Sequence, residues 1–123
     1  MTRTLLTVIF LLSVFFININ AAKAANLNNL TDAVMNGWRA DYQTQMGSLI
    51  GASGCTQSVS LSSLTNAVMN GWRADYKSQM SALLSCSGCS QSVNLTKLTN
   101  AVMNGWRADY QTQMGLFMRC LGY

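Results

Sequence analysis

The decapeptide Ala33-Val-Met-Asn-Gly-Trp-Arg-Ala-Asp-Tyr42 returns without a change at 67–76 and again at 101–110. Self-similarity at a fixed period marks a structural unit that stacks on copies of itself. Extending each copy outward gives the matched blocks Leu30–Met46, Leu64–Met80 and Leu98–Met114, which differ only mildly. Asp32 stands where the other copies have Asn66 and Asn100, and Gln43 and Thr44 where the second has Lys77 and Ser78. Between the blocks lie connectors of small and polar residues, 51–58 and 85–92, whose composition marks loops.

Two shapes compete for each copy. The first is one long amphipathic helix, over about 27–50, 61–84 and 95–118. At 100° per residue, Leu27, Leu30, Val34, Met35, Trp38, Tyr42, Met46 and Leu49 fall on one broad arc, opposite Asp32, Asn36, Arg39 and Gln43. Asn26, Ser60 and Asn94 precede the three segments in phase and are good N-caps. Ala, Leu, Met, Gln and Arg favour helix, and the chain has no Pro. The cost is a mid-helix glycine at 37, 71 and 105, roughly 1 kcal/mol each relative to Ala.

The second shape is a hairpin turning at Asn-Gly, a strong turn signal. From Trp72 to Met80 polar and apolar residues alternate, as a half-buried strand requires. Val, Ile and Thr, which strands favour, are few in this part of the chain. The expectation is therefore an all-α protein: three tandem 34-residue repeats forming a small disulfide-bonded helical bundle. Stacked β-hairpins turning at Asn-Gly are the alternative, a helical hairpin being allowed within that second shape.

Cys55, Cys86, Cys89 and Cys120 are an even set in a short chain, which predicts two disulfides. Their pairing depends on the shape. An up-down-up bundle of rods suggests Cys55–Cys120 and a local Cys86–Cys89 bridge. Rods would hold Cys55 and Cys86 about 36 Å apart, far beyond the limit of about 7 Å for a bridge. Hairpins predict Cys55–Cys86 and Cys89–Cys120, each pair centred on an Asn-Gly turn. Cys86-Ser-Gly-Cys89 also has the spacing of a redox dithiol, without the strand–helix pattern that accompanies one.

Residues 1–24 read as a secretory signal peptide. Arg3 supplies positive charge, Leu5 to Ile17 an apolar stretch, and Ala22-Lys-Ala24 a small-x-small cleavage site. The repeat domain is then 25–123, secreted or periplasmic. Eight Lys and Arg, less Arg3 and Lys23, leave six against four Asp, a mature charge of +2. That excludes a nucleic-acid footprint, which needs clustered cations.

There is no His and no Glu, so a triad cannot be built and acid–base chemistry is poorly served. The expectation is a non-enzymatic protein without cofactor or metal that acts by binding a protein or a cell-surface polymer. Trp, Tyr and Arg dominate binding hot spots. The candidate binding residues are therefore Trp38, Arg39 and Tyr42, Trp72, Arg73 and Tyr76, and Trp106, Arg107 and Tyr110. The competing placement puts the three indoles in the core between units. Two other functions are weighed: a membrane-active antimicrobial or toxin-like peptide in peripheral contact with lipid, and a self-associating fibre or surface-structure subunit.

Overall fold

The computed structural model describes residues 25–123; the leader segment 1–24 lies outside them. Six helices follow one another: α1 (Leu27–Asn36), α2 (Arg39–Ser53), α3 (Leu61–Asn70), α4 (Arg73–Ser87), α5 (Leu95–Asn104) and α6 (Arg107–Cys120). The protein is all-helical, and the described residues contain no strand. The alternative of hairpins built from β-strands is overturned among the described residues.

The single rod per repeat is also corrected, because each copy is two helices. The start is as the sequence implies: Asn26, Ser60 and Asn94 accept hydrogen bonds from the backbone N–H three residues on, which would otherwise lack a partner. After ten helical residues the helix stops at Gly37, Gly71 or Gly105, each left-handed with φ near +70°. Only glycine takes that conformation at little cost. The N–H groups of Gly37 and Trp38 both return to the Ala33 carbonyl, closing the helix end. Trp38 is extended, and its carbonyl then accepts from Tyr42 N–H to begin α2. The chain turns within two residues and comes back along itself.

The return is pinned by side chains. Gln79 Oε1 accepts from the Ser60 N–H at 2.9 Å, and Gln113 Oε1 from the Asn94 N–H at 2.8 Å; Gln45 does the same for Asn26. Each glutamine sits in the long helix and reaches the first residues of its own short helix, so the unit is an antiparallel helical hairpin.

The hairpins then pack in a circle. α2 lies against α3, α4 against α5, and α6 comes back onto α1. Closure with three near-identical units gives pseudo-threefold symmetry, so equivalent residues occupy equivalent positions around one axis. The core takes Leu30, Ala33, Tyr42, Met46 and Leu49 from the first unit. Leu64, Ala67, Tyr76, Met80 and Leu83 come from the second, and Leu98, Ala101, Tyr110, Met114 and Phe117 from the third.

The three seams are alike but not identical. Arg39 donates to Asn66 Oδ1 at 2.9 Å and Arg73 to Asn100 Oδ1 at 2.7 Å. At the closing seam Arg107 meets Asp32 at 2.6 Å, an ion pair in place of the neutral bond. Gln111 adds a 3.3 Å bond to Asn28 there. Packing repeats as well: a Cβ on Gly47 would lie 3.3 Å from a Leu61 methyl, and one on Gly115 3.5 Å from a Leu27 methyl.

Disulfides Cys55–Cys86 and Cys89–Cys120 tie the first two seams, each with Cα atoms 6.1 Å apart. The pairing that follows from rods, Cys55–Cys120 with Cys86–Cys89, does not form. The turn at Asn-Gly folds each unit in half, which brings successive connectors together. The closing seam carries no covalent tie.

Candidate functional site

Each Asn-Gly turn produces an exposed corner of six residues: Asn36 to Asp41, Asn70 to Asp75 and Asn104 to Asp109. Threefold symmetry places the three corners at one level about the axis. The disulfides lie at the other ends of the long helices, about 22 Å away along a fifteen-residue helix.

Trp38, Trp72 and Trp106 sit at the apex of the corners and are 50, 50 and 51% exposed. They are the exposed large apolar side chains among the described residues, so their placement as core between units is corrected. Each is the N-cap of a long helix, yet none makes a side-chain capping bond. Ser, Thr, Asn or Asp would satisfy that end, and an indole N–H cannot accept a bond at all. The position departs from N-cap preference in all three copies, and the side chain returns no capping bond to the helix.

The other candidates separate by burial. Tyr42, Tyr76 and Tyr110 are 1% exposed and belong to the core, so they offer no surface to a partner. Burial raises the pKa of all three phenols. The neighbouring phenols add to this rise at Tyr42 and Tyr110. Arg39, Arg73 and Arg107 are exposed but hold the seams. Asp41, Asp75 and Asp109 lie in the first turn of the long helices, where the helix dipole favours an anion. The one ion pair among the described residues is Arg107–Asp32, so these three carboxylates face solvent.

Asn36, Asn70 and Asn104 each donate Nδ2 to the carbonyl four residues back at 2.9 Å, which orients the amide. A corner thus combines a half-exposed indole, a fixed amide and a solvated carboxylate. No group of three metal-ligating side chains occurs among the described residues. All four cysteines are in disulfides, and Cys86 and Cys89 go to different partners, so they do not form a dithiol couple.

The closing contact between Arg107 and Asp32 joins residues 75 apart, which no local pattern in the sequence brings together. Its one visible signal was Asp32 standing where the other copies carry Asn. Compared with protein-family models, curated proteins and solved structures, the chain matches none. Two disulfides are compatible with an oxidising, extracellular location, and no helix among the described residues is long and apolar enough to cross a membrane.

Proposed function

We propose that this is an exported protein that acts by binding a cell-surface partner through its three tryptophan corners. The observation that carries the reading is the threefold repetition of a half-exposed Trp at one level of a closed scaffold. Each ring leaves about 100 Å² of surface to cover, taking 150–250 Å² as the area an aromatic side chain buries. One corner alone binds weakly. Three on a rigid frame engage a repetitive surface together, and linked sites gain a factor of about 10² to 10⁴ in avidity. The leader 1–24 and the two disulfides support export.

The test is co-sedimentation of the mature protein with intact yeast, Gram-positive bacteria and erythrocytes, beside the triple variant W38A/W72A/W106A. The reading expects retention on at least one surface and a loss of more than tenfold in the variant, with an unchanged helical circular dichroism spectrum. No retention on any surface, or equal retention of the variant, overturns it.

A further inference from the structure

We infer that each corner is a stacking subsite for an uncharged sugar ring, so that the partner is a neutral glycan with repeated or branched ends. This rests on the binding role proposed for the three tryptophans and adds the chemistry of the ligand.

The argument starts from charge. At the level of the corners stand Arg39, Arg73 and Arg107 against Asp41, Asp75 and Asp109, and Asp32 adds a fourth acid at the closing seam. The arginines are already committed to Asn66, Asn100 and Asp32. No surplus of cations remains there to attract a sulfated or phosphorylated polymer, which clustered positive charge would require. The same carboxylates argue against lipid. Lowering three indoles into a bilayer interface would strip water from the aspartates three residues further on, at a cost that no partner offsets. Interfacial anchors carry Lys and Arg on the polar face beside their aromatics.

An uncharged sugar fits what remains. Its C–H face is apolar and matches the open face of an indole. Its hydroxyls are donors, and each corner offers acceptors: the solvated Asp carboxylate and the oxygen of an Asn amide held through its nitrogen. A small number of fixed polar groups beside an aromatic face is how such sites set orientation. The corner backbone is fixed by the left-handed glycine and by the paired N–H groups of Gly37 and Trp38, so little ordering is needed on binding.

The experiment titrates the mature protein, following tryptophan emission, with soluble β-1,3-glucan, cello- and chitin oligosaccharides and α-mannan. Heparin and vesicles of phosphatidylcholine with phosphatidylglycerol are the comparison arms. The expected result is saturable binding to at least one neutral glycan, changed less than twofold between 50 and 500 mM salt. Trp72→Ala should weaken it at least tenfold, and Trp72→Phe, which keeps a stacking face, should recover part of that loss. Binding to none of the neutral glycans overturns the inference, as does preference for heparin or vesicles, or glycan binding that Trp72→Ala leaves intact. If tryptophan-dependent sedimentation with cells persists while every glycan fails, the ligand class is wrong and the binding role stands. If sedimentation fails too, both fall.

Discussion

Replacing Gly71 with Ala has an effect whose sign depends on the fold. In a continuous helix over 61–84, Gly71 would be an interior glycine, and Ala there would stabilise by about 1 kcal/mol. In the helical hairpin Gly71 has φ of +70°, and a Cβ built on it meets nothing within 4 Å. Crowding therefore contributes nothing, and the backbone term stands alone. A left-handed L-residue costs roughly 1–2 kcal/mol. The stiffer unfolded chain returns about 0.4–1 kcal/mol. The net expectation is a loss of about 1 kcal/mol, so the two shapes differ by about 2 kcal/mol with opposite sign. Because Gly37 and Gly105 have the same geometry, the triple variant should lose about 3 kcal/mol, the three sites being separate. Urea denaturation followed at 222 nm, with the disulfides intact, measures this directly. An increase in midpoint for Gly71→Ala would refute the corner.

Other expectations follow from the seams and the core. Asp32→Asn should cost no more than about 0.5 kcal/mol, because both partners of the ion pair are nearly half exposed; it should also remove the salt dependence of that seam, read from urea midpoints at low and high ionic strength. Removing Cys55 and Cys86 together should cost about 3–4 kcal/mol, from the loop-closure entropy of a 31-residue separation, measured by the same denaturation. Amides of α1, at the seam without a disulfide, should exchange with deuterium faster than those of α3, whose sequence is nearly the same. Burial holds the phenols of Tyr42, Tyr76 and Tyr110 protonated in the fold. Above pH 10 the unfolded chain has released those protons and the folded chain has not. Stability is then full below pH 10 and falls as pH rises, by roughly 1.4 kcal/mol per unit per tyrosine; denaturation midpoints between pH 9 and 11 check this against the triple Tyr→Phe variant.

Much of the fold was legible, but split between two readings. Caps at Asn26, Ser60 and Asn94 announced helices, and the Asn-Gly pairs announced turns. Both signals were right, because the turn joins two helices rather than two strands. The amphipathic arc misled at one point: 3.6-residue phasing happens to run on across Gly37, which placed Trp38 beside Leu30 and Tyr42. In the protein the phase is interrupted there, so Leu30 and Tyr42 are buried while Trp38 is half exposed. That break also divides the candidate site, leaving the indoles outside and the phenols inside. Ring closure was not legible, since it depends on the angle between successive hairpins, which no local pattern encodes. The disulfide pairing was legible once the turn was granted, because both pairs are centred on it.

The circle itself is best tested at its one seam without a disulfide. Selective labelling of glycine and leucine, followed by nuclear Overhauser spectroscopy, should show the Leu27 methyls in contact with Gly115 Hα, alongside the equivalent contact of Leu61 with Gly47. Both cross-peaks together mean that the third hairpin returns to the first. A Leu61–Gly47 peak without the Leu27–Gly115 peak would mean an open stack, and the threefold arrangement of the tryptophans would not hold.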